Sequence, residues 1–278
     1  MNTPLAQSIA LISGANGAIG QAISRQIAAQ PGYEVILICR DSHKAECAVQ
    51  DIVAATGNVR VSYALVDLSR QASITAFAKT WNKPVHVLVN NAAIAPRHRE
   101  ETPEGIEMQF ATNVLGYYWL TLALEPRLKE AVPARVVNVA SYWAGDLDLD
   151  DLEFRRRPYD QHQAYRQSKQ INRMLTVAFA ERLKPHGIIV NACHSGDVNS
   201  ALCKDLGFGN HALSQGGHET PDQGARMPVR LATDPAFAGI TGKYFEHGRQ
   251  VLCPFGGNLA QIEALVEACQ AFGSNSHL

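Results

Sequence analysis

The chain has 278 residues, 46% of them hydrophobic and 18% charged, which suits a soluble globular protein long enough for one large α/β domain. Its 25 basic and 26 acidic residues leave a net charge of −1, which argues against nucleic acid or an anionic membrane as a partner. Cys39, Cys47, Cys193, Cys203, Cys253 and Cys269 show no C-x-x-C spacing and read as reduced thiols of a cytoplasmic protein, and no His/Cys cluster has the spacing of a metal site.

Residues 1–7 have neither a cationic start nor an apolar run, so no signal peptide is expected. No apolar run approaches the ~20 residues that span a bilayer. Seven β-like runs then alternate with helical patterns. Strands are expected at 8–13, 34–39, 59–66, 85–90, 135–140, 188–194 and 243–245. Helices are expected near 18–30, 43–56, 70–81, 103–131, 161–184 and 221–233, with a terminal amphipathic helix at 258–272. Near-continuous apolar runs such as Val85-His86-Val87-Leu88-Val89 are those of strands covered on both faces. The alternation predicts right-handed crossovers and a single-domain, doubly wound parallel sheet of the Rossmann type, with helices on both faces. No linker or repeat divides residues 1–278. The least regular stretches, 142–160 and 195–220, are the natural substrate loops.

The first chemistry-bearing segment is Ser13-Gly14-Ala15-Asn16-Gly17-Ala18-Ile19-Gly20, between the first strand and the first helix. Glycines there let backbone approach a pyrophosphate, and a helix N-terminus attracts its charge. The second strand ends at Cys39-Arg40, where an NAD-binding fold usually has an acid for the ribose 2′-hydroxyl. A guanidinium, with His43 and Lys44 nearby, suits a 2′-phosphate and favours NADP(H). Asp67, followed by Leu68, offers an acceptor for the adenine amino group, a cap for the next helix, or both.

Tyr165 and Lys169 stand four apart on a helical stretch, one above the other on the same face. A free tyrosine releases its proton only near pH ~10. A neighbouring cation favours the phenolate, so the pair reads as a proton-transfer device with Ser141 upstream. Arg155-Arg156-Arg157 reads as a solvated loop run rather than an anion receptor. Tyr142 and Trp143 are candidates for the pocket wall, and His194, at the end of a strand, reads as structural rather than substrate-facing. His211 and His218 have no metal-ligand spacing, and the absence of a Gly-x-Ser-x-Gly elbow disfavours nucleophilic hydrolysis.

Further motifs carry a resemblance. They are Asn90-Asn91-Ala92-Ala93, Asn113 within Glu107–Gly116, Val137-Asn138-Val139-Ala140-Ser141, Tyr165-x-x-x-Lys169, His194-Ser195-Gly196 and Thr241-Gly242-Lys243-Tyr244-Phe245. Together they resemble the short-chain dehydrogenase/reductase family over residues 8 to 272. The similarity is strongest to its retinol-dehydrogenase-like branch and to the related oxidoreductase domain that follows WW modules. The resemblance implies Tyr165 as acid-base, Lys169 as the ribose holder that lowers the tyrosine pKa, Ser141 as the donor to the substrate oxygen, and Asn113 as the holder of a relay water. It implies Gly14, Asn16, Ala18, Ile19, Gly20, Arg40, Asp67, Leu68, Asn91, Ala92, Ala93, Gly196, Val198 and Ser200 as cofactor contacts, with Tyr165 and Lys169. It further implies hydride transfer between NADP(H) and a carbonyl or alcohol of a small, apolar substrate, and a homodimer through the helices 103–131 and 161–184.

Three residues depart from the family pattern: Ala18 with Gly17 before it, Ala93, and Ser195. The Gly14-x-x-Gly17-x-x-Gly20 spacing resembles that of the family's extended members, so a nucleotide-sugar epimerase or dehydratase is one alternative. A non-catalytic NADP sensor is another.

Overall fold

β-Branched and leucine-rich runs form the inner strands because both of their faces are covered. The computed structural model describes residues 8–208 and 219–274. His211 and His218 lie outside the described residues. In chain order the elements are β1 (Ser8–Ser13), α1 (Ala18–Ala28), β2 (Tyr33–Cys39), α2 (Ser42–Thr56), β3 (Val61–Leu65), α3 (Gln71–Thr80) and β4 (Val87–Asn90). Then come α4 (Met108–Phe110), a π-helical stretch (Ala111–Leu115), α5 (Gly116–Lys129), β5 (Arg135–Ala140), α6 (Gln161–Leu183) and β6 (Ile189–His194). The chain continues with α7 (Ala201–Asp205), α8 (Pro221–Thr233), β7 (Tyr244–Glu246), β8 (Arg249–Val251) and α9 (Leu259–Ser274).

The sheet order is β3-β2-β1-β4-β5-β6-β7-β8, parallel except for β8, which runs antiparallel to β7. This is the expected doubly wound α/β fold of one domain. One core layer packs α5, α6 and α9 against the sheet, and the other packs α1, α2 and α8. The strand order reverses between β1 and β4, so a crevice opens beyond their C-terminal ends, the usual ligand position in such sheets. Gly14 and Asn91 follow those two strands directly.

An eighth strand joins the seven expected. Arg249-Gln250-Val251 has no apolar signature because it is an exposed edge. It pairs through a tight turn in which His247 and Gly248 both have positive φ, 45° and 79°. The helix expected from 103 begins at Met108, since Thr102–Ile106 fold into a turn and the buried Glu107 carboxylate caps the N–H groups of Gln109 and Phe110. The two helices expected to meet a second copy bury most of their residues within the chain. α9 lies along α6, and its Phe272 sits edge-on to Phe110 at 5.2 Å. No helix among the described residues is long and apolar enough to cross a membrane.

Candidate active site

The groove beyond β1 and β4 has a volume of about 460 Å³. It gathers Gly14, Asn16, Ala18, Ile19, Gly20, Arg40, Asp67, Leu68, Asn91, Ala92, Ala93 and Ser200. Steric contacts explain two of its glycines. Gly14 has φ +63°, and a Cβ there would lie 2.7 Å from the Ala92 backbone. A Cβ on Gly20 would lie 2.7 Å from Asn91 Nδ2, which donates to the Ser13 carbonyl at 3.0 Å. Gly17 is different: it is the residue before α1, at φ −85°, and its conformation suits any residue. The unusual glycine spacing therefore leaves the two essential positions in place. Backbone brought close at Gly14, with the start of α1 facing the groove, fits the diphosphate of a dinucleotide.

At the far end of the groove Arg40 is exposed, and its guanidinium has no hydrogen-bond or ion-pair partner among the described residues. The one acid beside it is committed elsewhere. Asp41 accepts from the Lys44 N–H at 3.0 Å, capping α2, and its carboxyl is held below the ordinary value chiefly by that bond. Asp67 does not cap α3, which starts after Arg70. It accepts instead from the Ser69 N–H and hydroxyl at 3.0 and 2.7 Å, while lining the groove.

The groove opens beside a second cavity of about 90 Å³ whose walls include Ser141, Tyr165, Lys169, Gly196, Val198 and Ser200. Ser141 ends β5, and Tyr165 and Lys169 are one turn apart on α6. The Ser141 hydroxyl accepts from the Trp143 N–H at 3.1 Å, and Ser141 lines this cavity together with Tyr165. Arg173, two turns further along α6, donates to the Ser141 carbonyl and to the Tyr244 hydroxyl at 2.7 Å, with its guanidinium 3.6 Å from the Tyr244 ring centre. A buried cation thus fixes the end of β5 against α6. Asn90, Asn138, Thr121 and Thr176 form a buried hydrogen-bond chain that ties β4, β5, α5 and α6 together at the same level.

Lys169 is only 2% exposed. Its ammonium donates to the Val139 carbonyl at 2.9 Å and lies 5.5 Å from the Tyr165 ring centre. Burial pushes the ammonium down to about 7. Burial also raises the Tyr165 phenol above its ordinary value, and the neighbouring Ser141 hydroxyl pulls it partly back. The expected lowering of the tyrosine by the lysine is therefore overridden here by desolvation. The phenol is held as a proton donor, and the lysine exchanges its proton near neutrality.

Asn113 lies in the π-helical stretch and is fully buried. Its side-chain amide takes the Ile94 N–H at 2.9 Å and donates to the Ile94 carbonyl at 3.0 Å. It therefore clamps the loop after β4. His194, read as structural, lines the same cavity together with Asp197, a residue that sequence reasoning did not single out. The Arg155–Arg157 run folds onto its own loop: the Asp151 carboxylate accepts the N–H groups of all three arginines, and Arg157 stacks 4.0 Å from the Phe154 ring centre. Among the described residues no group of His, Cys, Asp and Glu could hold a metal ion.

Residues 8–208 match the family model described as short chain dehydrogenase. The chain belongs to the short-chain dehydrogenase family. Retinol dehydrogenase 13 of Mus musculus is 35% identical over 255 residues, covering 86% of this chain and 75% of that protein. A Streptomyces antibioticus protein named "Probable oxidoreductase" is 38% identical, covering 87% and 85% of the two chains. Retinol dehydrogenases 11 and 12 of Homo sapiens, at 34% and 35% identity, fill out the retinol-dehydrogenase-like branch to which this short-chain dehydrogenase is similar. Among solved structures, 3-ketoacyl-(acyl-carrier-protein) reductase from Brucella melitensis, complexed with NADH, superposes with a TM-score of 0.68 at 26% identity. That match covers 87% of this chain and 97% of the other. Like these relatives, this short-chain dehydrogenase is an oxidoreductase fold built for a nicotinamide cofactor.

Proposed function

We propose that the chain transfers a hydride reversibly between NADP(H) and the carbonyl or alcohol carbon of a small substrate. The observation that carries this reading is the placement of Ser141, Tyr165 and Lys169 together on the wall of one cavity beside the glycine-lined groove. A nicotinamide held in the groove would supply the hydride. The protein's own contribution is made at the substrate oxygen.

Ser141 and Tyr165 present two O–H donors to one oxygen. Negative charge grows there as carbon is reduced, so the donors stabilise the transition state more than the ground state. Tyr165 gives its proton to that oxygen in reduction and recovers one in oxidation. Lys169, poised at about 7, returns the proton to Tyr165. Asn113 is assigned to the support of this relay. With both ends of its amide on Ile94, it acts by holding the β4 loop in place. Gly196, Val198 and Ser200, which line the same cavity, are assigned to hold the nicotinamide end of the cofactor.

The exposed, unpaired Arg40 and the committed Asp41 support NADP(H) over NAD(H). All six cysteines are unpaired, which supports a reducing, cytoplasmic setting. The two long helices keep exposed positions beside their buried ones, which leaves room for the homodimer expected through them.

The test is loss of nicotinamide fluorescence with a panel of ketones, aldehydes and quinones, run with NADPH and with NADH. Turnover with NADPH, lost in Tyr165→Phe, is expected. Preference for NADH would overturn the role of Arg40, and silence across the panel would overturn the reaction.

A further inference from the structure

The catalytic cavity has a second polar pole. Besides Ser141 and Tyr165, its lining includes Asp197 and His194, while Trp143, Leu202, Leu206 and Phe208 make an apolar wall. The Asp197 carboxylate is buried, and its two oxygens accept from the Tyr142 hydroxyl at 3.0 and 3.2 Å. His194 is 6% exposed, and neither of its ring nitrogens has a hydrogen-bond partner among the described residues. Its Nε2 lies 3.9 Å from Asp197 Oδ1, too far for a direct bond. The edge of Tyr142 packs against the imidazole at 4.5 Å between ring centres, fixing its orientation.

An imidazole this deep is costly without partners, and it sits where a substrate would supply them. Burial keeps it neutral, and the cationic neighbours Arg173 and Lys169 and the imidazole of His247 act in the same direction, against the pull of Asp197. A neutral imidazole offers one donor and one acceptor, and a carboxylate only accepts. One group satisfies both at once: a hydroxyl, which gives its proton to one and takes a hydrogen bond from the other. A carboxylate on the substrate would be repelled by Asp197. An ammonium would add a third cation to a region that already holds Lys169 and Arg173.

We propose that Asp197 and His194 form a subsite for a hydroxyl group, so that the preferred substrates are hydroxyketones or hydroxyaldehydes. The inference rests on the hydride-transfer reading above. In the reaction the carbonyl carbon gains the hydride from NADPH and the oxygen gains the Tyr165 proton. The second hydroxyl is unchanged, the products are a diol and NADP+, and solvent returns the proton. A cavity of about 90 Å³ keeps both poles within reach of one small molecule.

The test is kcat/KM with NADPH for 2-hydroxyacetophenone, 3-hydroxybutan-2-one and 4-hydroxybutan-2-one, each against its O-methyl ether. The ether keeps the inductive effect and removes the donor. At least one hydroxy compound is expected to exceed its ether by about tenfold or more, ~1.4 kcal/mol. Asp197→Asn and His194→Phe should each bring that ratio close to one, whatever their absolute rates. Tyr142→Phe, a milder change, should lower the ratio as well and serves if the other variants do not fold. Carbonyl turnover with no hydroxyl preference, or a preference that survives every variant, would overturn the subsite alone. No carbonyl turnover at all would overturn the hydride-transfer reading beneath it.

Discussion

Replacing Lys169 by methionine should remove the proton relay and, without bound cofactor, make the fold more stable. The ammonium has an ordinary pKa of 10.5 and is pushed down to about 7 by burial, a difference of 10.5 − 7 = 3.5 units. At ~1.36 kcal/mol per unit, and with the folded group half protonated, the penalty is ~4 kcal/mol near pH ~7. The sign follows from proton counts. Between about 7 and 10.5 the unfolded chain binds more protons than the folded one, so stability rises with pH across that window. Below about 7 the penalty is present in full. Methionine fills similar space but gives up the bond to the Val139 carbonyl, a loss of ~1 kcal/mol. That oxygen still accepts from the Tyr117 hydroxyl at 3.4 Å. The net expectation is ~3 kcal/mol of added stability for Lys169→Met near pH ~7, shrinking by ~2 kcal/mol near pH ~9. Urea unfolding followed by circular dichroism at the two pH values measures both quantities. A variant less stable than the parent, or a difference that does not change with pH, would refute the reasoning.

Other expectations follow from the same geometry. Tyr165→Phe should lower kcat by ~10²–10⁴-fold while leaving NADPH binding intact, checked by steady-state kinetics and by fluorescence titration of the cofactor. Arg40→Asp places an acid where a 2′-phosphate would lie, and should shift the ratio of kcat/KM for NADPH over NADH by about tenfold or more toward NADH. Gly20→Ala would place a methyl 2.7 Å from Asn91 Nδ2 and strain the loop after β1. Its Kd for NADPH, measured by calorimetry, should rise by about tenfold, ~1.4 kcal/mol.

The parallel core was legible because its signal is local. β5 and β6 are mostly apolar, and both lie at their expected positions to within one residue. The terminal helix was legible because Ile262, Leu265 and Cys269 repeat at helical spacing and face the core. β8 was not, since an exposed Arg-Gln-Val edge depends on its hairpin turn rather than on periodicity. The start of the Met108 helix was misplaced because its cap, Glu107, resembles an ordinary helical residue in sequence.

The site shows the same division. Gly14, Arg40, Asn91, Ser141, Tyr165 and Lys169 come from motifs, and all of them line the groove or the cavity. The balance of forces on Lys169 was not legible, because its neighbours Tyr117, Val139 and Cys193 come from three other elements and meet only in the fold. Arg173 belongs to none of the motifs read in the sequence. Its packing against Tyr244 exists only once β7 has paired with β6, and its bond to Ser141 only once α6 lies against the end of β5.

The central claim, hydride transfer at a carbonyl held by Ser141 and Tyr165, is tested most directly by isotopic labelling. The protein is incubated with NADPH deuterated at the nicotinamide C4 position and a ketone that is turned over, and the product alcohol is analysed by mass spectrometry and NMR. One deuterium at the carbinol carbon for each NADP+ formed, lost in Tyr165→Phe, is the predicted result. NADPH oxidation that leaves the carbinol carbon unlabelled, or label transfer undiminished in Tyr165→Phe, would contradict it.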